Sequence, residues 1–179
     1  MFTKTIGASL LVVILNTLAF SIQQPAPWQK FDSPEGKFNV LLPSQPEVEV
    51  KDIESAIGKL TLYAYSSKND TSYFQVSYAD YSLAPTDEQI ESVLDGIRRG
   101  VMDGLKAELI SEKKVFLHSY PGREFVAQKT DEGVDIIFNW KIILVGRRVY
   151  QVAVASSPKD SDSPDVQMFL ASFDLNTPR

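Results

Sequence analysis

The sequence predicts an α+β protein: an αβα sandwich around a mainly antiparallel sheet, with one long helix and a second helix at the C-terminus. Three observations carry that prediction. The run from Ile136 to Val145 is apolar on both faces, the stretch from Asp87 to Lys106 has an apolar stripe at helical spacing, and much of the rest alternates with a period of two. In the two-sided run, Ile136, Phe138, Trp140, Ile142 and Leu144 share one face, and Ile137, Ile143 and Val145 share the other. Such a strand suits the middle of a sheet covered on both sides.

Taken in order, the chain opens with an address. Lys4 supplies a positive start, Ile6 to Phe20 forms an apolar core, and Ala19-Phe20-Ser21 puts small residues at the −3 and −1 positions of a cleavage site. Residues 1–21 therefore read as a signal peptide, with cleavage after Ser21 or, through Thr17-Leu18-Ala19, after Ala19. The alternative is an uncleaved anchor, but the apolar run is roughly 15 residues against the ~20 a span needs, and Asn16 and Thr17 interrupt it. Residues 22–27 read as a flexible lead-in, and residues 28–175 as one domain.

Within that domain, Trp28–Phe31 and Phe38–Leu42 read as strands joined by a Ser33-Pro34-Glu35-Gly36 turn, the second stopped by Pro43 and Pro46. Val48–Ile53 and Lys59–Ser66 form a pair around Gly58, and Ser72–Tyr81 alternates after an Asn69-Asp70 turn. The long helix has Thr86 and Gln89 as a capping box. Its stripe is Ile90, Val93, Leu94, Ile97, Val101 and Leu105, while Glu91, Asp95, Arg98 and Arg99 point elsewhere. Burying that stripe releases on the order of 10 kcal/mol gross, so a sheet must cover it. Gly96, Gly100 and Gly104 recur at every fourth position, which implies a close packing approach that offsets their poor helix propensity. Strands follow at Glu108–Leu117, Arg123–Lys129, Asp135–Val145 and Arg148–Ser156, the last two joined through Gly146-Arg147 as a hairpin. Ser163 and Pro164 open the last helix, whose apolar face is Val166, Phe169, Leu170 and Phe173.

Composition narrows the chemistry. The 179 residues are 44% hydrophobic and 23% charged, which describes an ordinary globular chain. There is no cysteine, which removes disulfides, thiolate metal sites and cysteine nucleophiles. Removing residues 1–21 leaves 17 basic against 23 acidic side chains, a balance that argues against a nucleic-acid partner.

Candidate sites are few. His118, the only histidine, adjoins Ser119, but neighbours at a strand end point apart and no Gly-x-Ser-x-Gly elbow exists, so it reads as a surface loop residue. Asp160-Ser161-Asp162-Ser163-Pro164-Asp165 lacks the Gly and Glu of a calcium loop and reads as an acidic helix start. Asp131, Glu132 and Asp135 surround Gly133 in an expected turn. Asn69-Asp70-Thr71 is a glycosylation sequon. In Tyr120-Pro121-Gly122-Arg123-Glu124, a Pro-Gly turn delivers Arg123 and Glu124 to opposite faces of the next strand. Tyr120 and Arg123 are the candidate binding residues, as a rim; the alternative is a tight turn with a structural ion pair. No catalytic residue, metal site or cofactor is expected.

The order of motifs resembles PsbP-like proteins. The resemblance rests on Phe31-x-Ser33-Pro34-Glu35-Gly36-Lys37-Phe38-x-Val40-x-Leu42-Pro43, the paired strands, the long helix, the Tyr120–Glu124 turn, Val145-Gly146-Arg147 and the terminal Phe169-Leu170-x-Ser172-Phe173. It spans nearly all of residues 28–175 and implies the αβα sandwich and a binding or assembly role rather than an enzymatic one. The partner-binding residues of the family do not map onto this chain. The expectation is an exported, non-enzymatic protein of the periplasm or an equivalent lumenal or extracellular space, with no transmembrane span once mature. Its partner would be a protein, in a membrane-associated complex. The competing expectation is a small-molecule binder or a hydrolase gathering carboxylates around Tyr120 or Arg123.

Overall fold

The computed structural model describes residues 28–55 and 58–176; the signal-peptide and lead-in expectations lie outside them. Seven strands form one antiparallel sheet: β3 (Glu47–Ser55), β4 (Gly58–Lys68), β5 (Ser72–Asp80), β6 (Glu108–Leu117), β7 (Tyr120–Asp131), β8 (Val134–Val145) and β9 (Arg148–Ser156). Their spatial order is β3-β4-β5-β9-β8-β7-β6. A smaller three-stranded sheet joins β1 (Gln29–Ser33), β2 (Phe38–Leu42) and β10 (Asp174–Leu175). The helices are α1 (Ile90–Leu105), entered through a 3₁₀ turn at Asp87–Gln89, and α2 (Pro164–Ser172). Among the described residues no helix is long and apolar enough to cross a membrane.

The two-sided strand lies where its sequence demands. β8 is hydrogen-bonded to β7 and β9. Phe138, Trp140, Ile142 and Leu144 face α1, packed with Leu94, Met102, Phe125, Ala127 and Val149. Ile143 and Val145 face the opposite core, with Phe38, Phe74, Tyr150, Val152, Val154, Phe169 and Phe173. That second flank is where the expected sandwich needs correction. The nine-residue α2 alone is too short to cover it, and the small β1-β2-β10 sheet supplies Phe38, Val40, Leu42 and Leu175 to complete the cover. The helix also ends at Ser172, so Phe173 is its C-cap rather than part of its face.

Helix α1 starts as the capping box implies, with the Thr86 N–H donating to Gln89 Oε1 at 3.0 Å. Its expected stripe packs on the sheet: Leu94 is buried and Ile90, Val93, Ile97 and Val101 are partly buried against the same core, to which the structure adds Met102. The two most buried residues are Leu94 and Met102, and Glu91 and Asp95 turn inward toward Arg123 of the sheet. The glycine expectation fails: Gly96, Gly100 and Gly104 lie on the exposed side, and a Cβ at any of them would meet nothing within 4 Å.

Candidate functional site

The β6–β7 hairpin closes two residues earlier than its Pro-Gly dipeptide suggests. Leu117 pairs with Tyr120, so His118-Ser119 is the loop, and His118 adopts a left-handed φ of 54°. Pro121 and Gly122 are inside β7. Proline is tolerated there because β7 pairs with β8 only from Gly122 onward, leaving no ladder donor to lose. Gly122 is required by proximity: a Cβ would strike the Ile142 carbonyl oxygen and sit 2.7 Å from Ile143 Cδ1.

Beyond that close approach, consecutive residues diverge as expected. Arg123 enters the α1 side and is 5% exposed. Its Nη2 donates to Glu91 Oε2 at 2.6 Å and Asp95 Oδ1 at 2.8 Å, both on α1. Its Nε lies 3.2 Å from Glu112 Oε1 on β6, close enough for attraction but misaligned for a hydrogen bond. Arg98 Nε approaches the same oxygen, also at 3.2 Å. Desolvation works against the charge on Arg123, but the bonds from Asp95 and Glu91 outweigh it and raise its pKa. The Asp95 carboxyl is held below its ordinary range chiefly by Arg123, and that of Glu91 by Lys114 and then Arg123.

Glu124 faces the other way, 2.8 Å from Lys113 Nζ. Opposite it in register, Lys141 passes under α2 and donates to the Leu170 carbonyl at 2.9 Å, where burial lowers its pKa. The two cations Arg123 and Lys141 thus each hold one helix against one face of the sheet. Tyr120 packs beside Val115 and Leu117 against the second core.

The other chemistry-bearing residues are similarly engaged. His118 Nε2 lies 2.7 Å from Asp174 Oδ1, joining the hairpin to β10, with both side chains about half exposed. Asn69 Oδ1 accepts from the backbone N–H groups of Thr71 and Ser72, and its Nδ2 donates to Asp165 at 2.8 Å, so the sequon amide closes a turn and ties it to α2. Glu132 and Gly133 both have positive φ, forming the tight β7–β8 hairpin turn. Among the described residues, no group of three or more His, Cys, Asp or Glu side chains is placed to hold a metal ion.

Sequence reasoning missed a second network. Arg148 makes a bidentate pair with Asp80 at 2.7 and 2.8 Å, donates to the Glu35 and Gly36 carbonyls, and lies 4.4 Å from the Tyr78 ring centroid. Tyr150 donates to the same Gly36 carbonyl at 2.8 Å. Arg148 draws the Asp80 carboxyl down, and burial pushes the Tyr78 phenol up. These partners are up to 114 positions apart, beyond any local pattern.

Two shallow clefts remain. One, of about 260 Å³, lies between Lys113, Glu124 and Asn139 of the sheet and Gln167 and Leu170 of α2. The other, of about 360 Å³, lies between Lys59 and Tyr63 on β4 and the Tyr81 and Arg147 loops. Large apolar side chains are exposed chiefly on the outermost strands: Val48 and Val50 on β3, and Leu109, Ile110 and Phe116 on β6, with Phe116 71% exposed. The two edges differ in form. β6 carries a register shift between Leu109 and Ser111, whereas β3 pairs with β4 over all nine residues without one.

No protein-family model matches the chain, and no curated protein matches it. Solved structures do. CyanoP, the cyanobacterial PsbP of Synechocystis, aligns at a TM-score of 0.53 and 12% identity, over 84% of this chain and 93% of its own. A Bacteroides thetaiotaomicron protein aligns at 0.47 and 16% identity, over 83% of this chain and 48% of that one. A Pseudomonas aeruginosa protein of unknown function aligns at 0.42 and 13%, over 75% and 85%. The similarity to CyanoP is one of fold: this chain has a distantly PsbP-like architecture.

Proposed function

We propose that this chain is an exported, non-enzymatic binding or assembly protein that docks onto a protein partner in a membrane-associated complex. The observation that supports it most is where the apolar surface is left: Phe116, Ile110 and Leu109 stand exposed along the β6 margin. Exposed apolar groups spread along an edge strand, with charged Lys113 and Lys114 among them, suit a partner surface that mixes apolar and polar contacts. The carboxylates are occupied differently from those of a hydrolytic site. Glu91 and Asp95 are kept ionised by cations around Arg123, which leaves no raised pKa to serve as a general acid. The signal-like residues 1–21 support the export reading.

Affinity capture from detergent-solubilised membranes tests this. The wild-type protein is expected to bring down the same partner repeatedly, and Phe116→Glu to lose it while keeping its melting temperature. Recovery of the protein alone, or a partner retained equally by Phe116→Glu, contradicts the reading.

A further inference from the structure

We propose that the β3 edge is the interface for a second copy of this chain, paired antiparallel about a two-fold axis that faces Val50. β3 is the outermost strand of the large sheet, nine residues long, with its outward edge unpaired among the described residues. The pairing with β4 contains no bulge, and Pro46 lies just before the strand rather than within it, so the edge is continuous; its charged side chains Glu47, Glu49, Lys51 and Asp52 are what a partner strand must match. The other edge, β6, has its bulge at Leu109/Ser111.

The side chains select the occupant and the register. Glu47, Glu49 and Lys51 share one face of β3, and Val48 and Val50 share the other, both more than half exposed. In a symmetric antiparallel pair centred on Val50, Glu49 of each copy lies directly opposite Lys51 of the other. Within one copy Lys51 Nζ already lies 3.3 Å from Glu49 Oε1, so pairing produces a square of four charges alternating in sign. On the other face Val50 meets Val50 across the axis and loses water contact, while Val48 lies opposite the other copy's Asp52, a carboxylate already paired with Lys59 at 2.9 Å. Centring the axis on Lys51 would oppose Lys51 to Lys51; centring it on Glu49 would set Lys51 against Glu47 but would force Glu49 against Glu49 on the axis itself, and that like-charge pair is what favours Val50. The two sheets would then run on as one, an isologous arrangement. This surface is separate from the Phe116 margin, so the partner reading and the pairing stand or fall independently.

The test is sedimentation equilibrium on protein expressed from the full-length chain and purified from the compartment where it accumulates. The wild type is expected to be a dimer at high micromolar concentration. Lys51→Glu makes the square uniformly acidic and is expected to weaken dimerisation by about tenfold or more. The double variant Glu49→Lys/Lys51→Glu restores alternation and should restore the dimer. Both side chains are about half exposed, so at a protein concentration low enough for the wild type to be monomeric the melting temperature should barely move in either variant. Register is read directly because the chain has no cysteine: Val50→Cys should form a covalent dimer on mild oxidation, and Val48→Cys should not. A wild type that stays monomeric overturns the proposal even if Phe116-dependent partner capture succeeds. So does a dimer indifferent to Lys51→Glu, or cross-linking of the Val48→Cys variant in preference to Val50→Cys.

Discussion

Arg123 and Arg148 are the two residues whose removal should cost most for their size. Each is largely buried, and each gathers acceptors from elements far apart in sequence. Arg123→Met removes the cation that Glu91, Asp95 and Glu112 share, leaving Asp95 without one while Lys114 stays on Glu91 and Arg98 on Glu112, and a loss of about 2–3 kcal/mol is expected in urea unfolding at unchanged m. That range lies below the fully buried case because the three carboxylates are partly solvated. The pH dependence has a definite sign. Asp80, Asp95 and Glu91 have depressed folded-state pKa values, so their contribution is complete above the unfolded carboxyl range, near 4, and is lost as pH falls through the lower folded values. Arg148→Met should flatten that acid limb, because Asp80 then titrates nearly as in the unfolded chain; an acid limb unchanged from wild type would show that Arg148 does not set it. At this scale the sequence was only partly legible. The divergence of Arg123 and Glu124 follows from strand alternation. The Arg148–Asp80–Gly36 network does not, because its members meet only once both sheets are assembled.

Helix α1 and strand β7 carry opposite glycine lessons. The regular spacing of Gly96, Gly100 and Gly104 suggests a packing seam, but burial centres on Leu94 and Met102 and places the glycines in solvent. The apolar stripe faces the sheet as its spacing implies, but the ion pairs that Glu91 and Asp95 make with Arg123 at its flank depend on a cation on another element, which the stripe alone cannot register. Gly100→Ala should therefore stabilise the protein by about 0.5–1 kcal/mol, by helix propensity and a less flexible unfolded chain, with a matching rise in melting temperature. Gly122→Ala should cost about 3 kcal/mol or more, since its Cβ has no room beside Ile142 and Ile143. Equal effects at the two sites would refute the assignment of which glycine is structural. The hairpins show the same limit. Pro121-Gly122 resembles a turn in composition, but Gly122 serves close approach to β8, and the loop falls to His118-Ser119.

At the scale of the whole molecule, most of the architecture follows from β8. A strand apolar on both faces cannot lie at an edge, and its neighbours β7 and β9 and its two covers follow from that requirement. The composite second cover was not legible, because β1 and β2 are short and β10 is two residues long, and nothing local distinguishes a small separate sheet from further strands of the large one. On the two proposals made above, what the molecule does depends on its margins, while Arg123 and Lys141 clamp the helices to the interior of the sheet. Amide hydrogen exchange at low and high protein concentration tests that division most directly. Amides of β8 are expected to exchange slowest at both concentrations, through global unfolding, and residues 47–53 of β3 to gain protection only at high concentration. Amides of β8 that exchange as fast as those of β3 and β6, or β3 amides indifferent to concentration, would contradict that division.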